Sequence, residues 1–334
     1  MATSAEKGLR VLPAPAGRGI ADCIGPTPLL RLRLFEPQAP DLPVLGKAEF
    51  MNPGGSVKDR PALRRVEEAL RVGALGRGQI LLDSTSGNTG VAYAMLGAAL
   101  RFPVKLVVPG NVGEERRRLM LAYGAELVLS DPQEGSDGAL LLCREIQAEA
   151  PERYFSPDQY NNPLNWRSHY ETTAIEIWEQ TEGAVSVFLA GLGTSGTFVG
   201  TARRLKELNP DITCVSLQPE DALHGLEGLK HMASAIVPGI YDATLADRNL
   251  AGPTGPAYDL ARRLAREEGI LAGHSSGLAL WGVEQLIQEG LSEGVAVLIL
   301  PDGGARYLSA GLYGSWCARP QPRSWSSPVR SSSG

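Results

Sequence analysis

The chain has 334 residues, of which 43% are hydrophobic, and this length is enough for one large or two medium-sized domains with a substantial core. Its 32 lysines and arginines against 37 acidic residues give a net charge of −5, and no basic block is interleaved with aromatic residues, which argues against nucleic-acid binding. No apolar run approaches the ~20 residues of a membrane span, and residues 1–19 lack the apolar core of a secretion signal, so we expect a cytoplasmic protein.

Apolar, strand-like runs alternate with helical patterns along the chain, which is typical of an α/β fold with mostly parallel sheets. Strands are predicted at residues 44–50, 79–83, 104–108, 126–129, 185–190, 213–218 and 295–300. Helices are predicted, from apolar positions at i, i+3 and i+4, at residues 61–72, 89–100, 114–123, 138–150, 163–180, 198–208, 256–268 and 278–288. Two strand–turn–helix units, near residues 87 and 195, predict two α/β domains with a cleft between them. The aperiodic segment at residues 315–334, rich in Ser, Pro and Arg, is predicted to be a disordered tail.

A short segment at residues 52–60 places one lysine, Lys58, between a Pro-Gly-Gly turn and a predicted helix. A lysine that is screened from water at the start of a helix can lose its proton and become a nucleophilic amine, which a Schiff base with a carbonyl cofactor requires. The alternative is a solvated surface charge, which is the usual state of a lysine. The neighbouring motifs bear on the choice between these two interpretations.

The second motif, residues 84–90, is a run of hydroxyl and amide side chains that ends a predicted strand and opens a predicted helix. Its glycines allow a ligand to approach the backbone, and the free N–H groups of a first helical turn favour a carboxylate or phosphate. An ordinary helix cap would need only one Ser, Thr or Asn. The length of the polar run therefore favours a binding site.

The third motif, residues 191–197, also lies between a predicted strand and a predicted helix, and its two threonines and one serine could form a cup for a phosphate. Gly191, Gly193 and Gly196 also satisfy the G-x-G-x-x-G pattern, and Glu220 lies at the end of the next predicted strand. A dinucleotide site is therefore an alternative for this stretch taken alone. The many hydroxyl groups suit a phosphate monoester better.

The cysteines and histidines show no spacing that would predict a metal site. The four cysteines are widely separated and form no CxxC pair, and the four histidines form no HxxxH or HxH pattern. We therefore expect neither a zinc site nor a disulfide framework.

Together, these three motifs resemble the pyridoxal-phosphate enzymes of the cysteine synthase and cystathionine β-synthase group, which share the type II fold of the tryptophan synthase β-subunit. Further similar segments follow in the same order at residues 25–29, 158–163, 273–277 and 301–309. The resemblance covers roughly residues 20–313 and is closest to short members similar to cysteine synthase B. It implies two three-layer αβα domains, a large one from residues 1–50 and 163–314 and a small one from residues 51–162.

The resemblance also implies roles for individual residues. Lys58 would hold the cofactor and later serve as the acid and base, and Asn88 would hydrogen-bond the 3′-oxygen of the pyridine ring. The carboxylate of an amino-acid substrate would bind to Thr85, Ser86, Thr89 and Gln159. The cofactor phosphate would bind to Gly193, Thr194, Ser195, Gly196 and Thr197.

The reaction that the resemblance implies is a β-replacement, in which the cofactor acts as an electron sink while Lys58 removes the α-proton of an O-activated L-serine. A sulfur nucleophile then replaces the leaving group, and with sulfide the product is L-cysteine. O-acetylserine is the expected donor. The alternatives are a cysteine synthase that uses O-phosphoserine, a cystathionine β-synthase that uses serine and homocysteine, a lyase that catalyses β-elimination, and a catalytically silent homologue.

Three positions depart from the family or leave its chemistry open. Gly303 stands where many relatives carry a serine that contacts the pyridine nitrogen, so Ser276, Asp302, a water or nothing would take that role. His274 replaces an aliphatic residue, and we expect a partly buried histidine rather than a proton relay. Lys230, in a loop expected over the cleft, would favour O-phosphoserine or would be an ordinary surface lysine.

The partners implied by the resemblance are small molecules and a second copy of the chain. The expected assembly is a homodimer in which residues up to about 40 pack against the other subunit. No nucleic acid, membrane or metal is expected as a partner.

Overall fold

The structure is a computed structural model that describes residues 19–76, 78–85 and 87–313. Its strands are β1 (Leu29–Leu32), β2 (Val44–Ala48), β3 (Ile80–Ser84), β4 (Val104–Pro109), β5 (Glu126–Ser130), β6 (Tyr154–Phe155), β7 (Val187–Gly191), β8 (Thr213–Pro219), β9 (Arg248–Gly252) and β10 (Ala296–Leu300). Its α-helices are α1 (Asp59–Arg71), α2 (Asn88–Leu100), α3 (Glu114–Ala122), α4 (Gly135–Glu149), α5 (Leu164–Ser168), α6 (Ala174–Gln180), α7 (Gly196–Leu208), α8 (Thr254–Glu267) and α9 (His274–Gln288).

The larger sheet has six strands in the order β1-β2-β10-β7-β8-β9, and only β1 runs antiparallel to its neighbour. Every residue of β10 is buried, because alternate side chains pack into cores on opposite faces. Helices α8 and α9 cover one face and α6 and α7 cover the other. A strand that is buried on both faces is continuously apolar, which explains why residues 295–300 were recognised as a strand.

The smaller sheet has four parallel strands in the order β5-β4-β3-β6. Helices α1, α2 and α3 pack on one face, and α4 packs on the other. The predicted α/β class with mostly parallel sheets is thus confirmed. Strands β1 and β2 join the larger sheet with β7–β10, and the exact domain boundaries stay a prediction. The predicted tail at residues 315–334 lies outside the described residues.

The three strands that the sequence did not predict, β1, β6 and β9, all lie at sheet edges. β1 and β6 are only four and two residues long, and β9 begins with Arg248 and Asn249, so none of the three shows a long apolar run. The predicted helix at residues 163–180 is interrupted by a π-helical turn, His169–Thr173. This turn faces Gly200 of α7, where an added Cβ would lie 2.0 Å from the Trp166 carbonyl oxygen, so the two segments approach closely.

A buried network of charges joins the start of α1 to the larger sheet. The Arg60 guanidinium bonds Glu49 through Nε and Nη2, both at 2.8 Å, and Glu176 through Nη1 and Nη2 at 2.6 and 2.7 Å. Lys47 adds a second cation, 2.7 Å from Glu176. Burial alone would raise the pKa of Glu49, but Arg60 outweighs this effect and holds that pKa below its usual range. The network therefore contains two charges of each sign.

No helix in the described ranges is long and apolar enough to span a membrane.

Replacing Arg60 should destabilise the fold strongly, because it leaves the buried Glu49 and the partly buried Glu176 carboxylates without their main partner. We expect Arg60→Met to lower the free energy of unfolding by about 3–5 kcal/mol. The matched control is Arg31→Met, which removes an exposed pair with Glu36 and should cost less than about 1 kcal/mol. Urea denaturation measures both values, and equal losses in the two variants would contradict this account of the network.

Candidate active site

A cavity of about 550 Å³ lies where the carboxyl ends of strands from both sheets meet. This edge is where open α/β sheets bind ligands, because helix N-termini converge there. The cavity brings together nine of the predicted site residues: Lys58, Thr85, Asn88, Thr89, Gln159, Gly193, Thr194, Thr197 and Lys230. Ser195 and Gly196 adjoin it at the start of α7, Gly303 is not among its lining residues, and Ser86 lies outside the described residues.

Lys58 directly precedes α1, and the turn before it is held by local hydrogen bonds. The Asp59 carboxylate accepts the Gly54 N–H at 2.5 Å, and a Cβ on Gly54 would lie only 2.4 Å from that carboxylate. Burial lowers the pKa of Lys58 to about 8, with Asp302 opposing this shift and Arg65 adding to it. Roughly a tenth of the amine is therefore neutral at pH 7. No described residue accepts a hydrogen bond from the amine, so it is free to react with a ligand.

The second motif forms a preorganised polar site at the start of α2. The Thr89 hydroxyl donates to Gln159 Oε1 at 2.9 Å, and Gln159 Nε2 donates to the Ser84 carbonyl oxygen at 2.7 Å. The Thr85 hydroxyl accepts the N–H groups of Gly87 and Gly90, both at 3.1 Å. These bonds fix the side chains around the positive end of the helix dipole, which suits a carboxylate.

The third motif places the first turn of α7 against the cavity, and glycine is required at two of its positions. A Cβ on Gly193 would lie 2.3 Å from the Gly228 carbonyl oxygen, and one on Gly196 would lie 2.1 Å from Asn165 Oδ1. Ser195 adopts a left-handed conformation with φ of 64°. Its hydroxyl donates to the Thr194 carbonyl oxygen at 2.6 Å, so the serine is satisfied by its own loop. The loop backbone remains available to an anion.

Asp302 and Ser275 line the cavity, although the sequence assigned neither of them a firm role. Asp302 directly precedes Gly303, the residue that was expected at this place. Asp302 Oδ2 accepts from Asn88 Nδ2 at 2.6 Å and from the Tyr307 hydroxyl. The Asn88 contact joins residues 214 positions apart, so no local pattern could reveal it. The similarity of residues 273–277 and 301–309 to the family was the only available signal.

His274, at the start of α9, is buried more completely than expected, with 1% of its surface exposed. It packs between the rings of Tyr258 and Tyr307, whose centroids are 5.0 and 4.2 Å away. Burial lowers its pKa to about 4, against an opposing effect of Asp302. The imidazole is therefore neutral near pH 7, which favours the packing role over a proton relay.

Two ion pairs connect the loop after β8 to helices of the smaller sheet. Lys230 lies 3.3 Å from Asp137 of α4, and its amine stands 5.1 Å from the centre of the Tyr160 ring. Glu227 pairs with Arg116 of α3. The Lys230 side chain is only 11% exposed. It is therefore neither an ordinary surface lysine nor an unpaired cation facing the cavity.

The sequence profile of a family described as pyridoxal-phosphate dependent enzymes matches residues 20–302. The chain belongs to this family. It is 49% identical to a cysteine synthase of Aquifex aeolicus, covering 88% of this chain and 91% of that protein. It is 40% identical to cysteine synthase B of Escherichia coli, over 87% of this chain and 94% of that protein.

Solved structures agree with the family assignment and with the predicted type II fold. The crystal structure of an O-ureido-L-serine synthase superposes with a TM-score of 0.84 at 36% identity, covering 91% of this chain and all of that chain. A cysteine synthase from Entamoeba histolytica gives a TM-score of 0.84 at 33% identity and covers 94% of each chain.

The residues present at the cavity fit pyridoxal phosphate, the cofactor of the family. Lys58 supplies a buried amine of lowered pKa for its aldehyde. Gly193 and Gly196 leave a backbone cradle for its phosphate, which side chains at these positions would disrupt. The individual roles of the predicted site residues stay predictions, and the functional proposal below adopts them.

The pKa of Lys58 can be tested on cofactor-free protein by acylation with an amine reagent. Because only the neutral amine reacts, labelling of Lys58 should rise with pH to a midpoint at about 8. Lys105 is the internal reference, since its hydrogen bond with Glu126 raises its pKa and should delay labelling to higher pH. Mass spectrometry of peptides measures both sites, and the same midpoint for both would contradict the predicted effect of burial.

Proposed function

We propose that the protein makes L-cysteine from O-acetyl-L-serine and sulfide by a β-replacement that depends on pyridoxal 5′-phosphate, which makes it a transferase. The observation that carries this proposal is the convergence on one cavity of the Lys58 amine and the N-termini of α2 and α7. A reactive amine and two anion sites match a cofactor aldehyde, a cofactor phosphate and an amino-acid carboxylate. The similarity to cysteine synthases over most of their length supports the same reaction.

The bound cofactor would act as an electron sink for the negative charge that develops at the substrate α-carbon. We assign Lys58 Nζ to hold its aldehyde carbon, Asn88 Nδ2 to its ring oxygen, and the turn at Gly193–Thr197 to its phosphate. The hydroxyl groups of Thr194 and Thr197 would add donors to that turn.

The substrate carboxylate would bind at the start of α2, next to Thr85 and Thr89, with Gln159 completing the site. Gln159 cannot turn freely, because its amide already donates to the Ser84 carbonyl oxygen. Such fixed donors hold the α-carbon near Lys58 without reorganisation during the reaction. Once the substrate amine has displaced it from the cofactor, Lys58 Nζ would be free to accept the α-proton, and the pKa of about 8 of the free amine keeps a neutral base available near pH 7.

The ion pair between Lys230 and Asp137 favours acetate over phosphate as the leaving group. A phosphate at the cavity mouth would have to displace the Asp137 carboxylate, which already partly neutralises Lys230. The paired lysine therefore contributes little net attraction for a dianion. This ion pair therefore supports O-acetylserine rather than O-phosphoserine as the preferred donor.

We also propose, from the family resemblance alone, that the protein is a cytoplasmic homodimer. Sedimentation equilibrium would test the dimer, and a monomer at micromolar concentration would exclude it. Cell fractionation would test the location, and recovery outside the cytoplasm would exclude it.

Removing the Lys58 amine should abolish cofactor attachment and lower the reaction rate by a factor of about 10²–10⁴, because the acid and base are lost. The test compares Lys58→Ala with Lys206→Ala, which removes a lysine paired with Asp247 at the surface. The visible absorbance of the bound cofactor and the rate of cysteine formation are the readouts. Full activity in Lys58→Ala would exclude the role assigned to Lys58.

Faster turnover of serine with homocysteine by the unaltered protein would favour a cystathionine β-synthase.

Lys230→Ala should change the ratio of kcat/KM for O-phosphoserine to that for O-acetylserine by less than about threefold. Lys230 is already paired with Asp137, whose side chain is 39% exposed, and a pair with an exposed member contributes about 1 kcal/mol or less, whereas tenfold discrimination requires about 1.4 kcal/mol. Steady-state assays with both donors give the ratio. A fall of tenfold or more would mean that Lys230 leaves Asp137 and binds the phosphate.

A further inference from the structure

One guanidinium, that of Arg306, contacts the segments that carry two of the predicted cofactor-binding residues. Arg306 lies in a short 3₁₀ helix, Gly304–Tyr307, and is 8% exposed. Its Nη1 donates to Asn88 Oδ1 at 2.5 Å, and its Nη2 donates to the carbonyl oxygen of Gly54. Gly54 belongs to the turn before Lys58, so Arg306 joins the start of α2 to the start of α1.

The contact with Arg306 fixes which way the Asn88 side-chain amide faces. Arginine has donors and no acceptor, so only the amide oxygen can face it. On the other side, Asp302 Oδ2 accepts from Asn88 Nδ2 at 2.6 Å. A cation and a carboxylate therefore bracket the amide and exclude the flipped orientation on chemical grounds.

The bracketed amide retains one donor for a ligand. Its nitrogen carries two N–H groups, and the hydrogen bond to Asp302 uses one of them. Asn88 lines the cavity, so the second N–H is available there. A flipped amide would instead present its oxygen to the cavity and would repel an anionic oxygen on the cofactor ring.

The position of Arg306 is itself tightly determined. A Cβ on Gly55 would lie 2.5 Å from its Nη2, so the turn before Lys58 has room for the guanidinium only because this residue is glycine. Asp302, on the opposite side of the Asn88 amide, is also held in place. Its Oδ2 atom accepts from the Tyr307 hydroxyl, and its backbone carbonyl oxygen accepts from the Gly273 N–H at 3.0 Å. The bracket is therefore rigid before any ligand binds.

We propose that Arg306, together with Asp302, is a positioning residue that orients the Asn88 amide toward the cofactor ring oxygen. This inference rests on the proposed function, because it requires pyridoxal phosphate in the cavity.

A double-mutant cycle separates this positioning role from a merely structural one. Dissociation constants for pyridoxal phosphate are measured on cofactor-free protein by absorbance titration, for the unaltered chain, Asn88→Ala, Arg306→Met and the double variant. Arg306→Met and Asn88→Ala should each weaken binding by about tenfold. Asn88→Ala removes the hydrogen bond to the cofactor ring oxygen, and Arg306→Met removes the charged donor that orients this amide. The double variant should be no more than about twofold weaker than Asn88→Ala alone, since Arg306 acts through Asn88.

The matched control is Arg262→Met, which removes a guanidinium bonded to the Leu312 carbonyl oxygen and should bind the cofactor as the unaltered chain does. The visible absorbance of the bound cofactor gives a second readout, and Arg306→Met should shift it in the same direction as Asn88→Ala. If Arg306→Met fails to fold, as judged by circular dichroism, the cycle of Asp302→Ala with Asn88→Ala tests the other side of the bracket.

The outcomes distinguish this inference from the proposed function. Additive losses in the cycle, or unchanged binding in Arg306→Met, would overturn the positioning role while leaving the proposed function intact. Failure of the unaltered chain to bind pyridoxal phosphate would overturn both.

Discussion

The Arg60 guanidinium lies between two carboxylates, the buried Glu49 and the partly buried Glu176, and this double ion pair holds α1 against the larger sheet. Lys58 stands two residues before Arg60, so a movement of the guanidinium would also move the reactive amine. Buried ion pairs add little net stability, because desolvation offsets much of their attraction. Their structural value here lies in geometry, since six donor–acceptor contacts to fixed side chains allow only one position for the start of α1.

Glycine gives the cavity its second constraint, which is the close approach of neighbouring atoms to backbone that carries no side chain. At Gly193 and Gly196, a Cβ would lie within 2.3 Å of a neighbouring oxygen atom. The turn at the start of α7 can therefore face the cavity only with bare backbone, and its N–H groups become the ligand surface. The same sterics operate at Gly54 and Gly55, beside Lys58. The anion site at the start of α7 and the position of the amine thus depend on contacts that a side chain at these glycines would disrupt.

The sequence was sufficient to predict the features that depend only on residues close together in the chain. A buried strand followed by a polar helix start is a local pattern, and it identified the loops around Asn88 and Gly193 together with Lys58. Contacts between distant segments were not accessible in this way. The place of Gly303 beneath the ring nitrogen stays a prediction, and of the residues considered for that contact, Asp302 lies at the cavity. The edge strands were missed because they are short or begin with polar residues, and the π-helical turn was missed because it depends on the close approach of α7.

The segment at residues 301–309 has no sequence pattern that predicts a function, and its role follows from its contacts with distant segments. It follows the central strand β10 and passes between the starts of α1 and α2, the two helices that carry Lys58 and Asn88. A cofactor held at both its aldehyde and its ring oxygen requires these two groups at a fixed separation, because an error of about 1 Å can greatly reduce the rate. Arg306 and Asp302 contribute to that fixed separation, since Arg306 contacts both helix starts and Asp302, which follows β10, contacts Asn88.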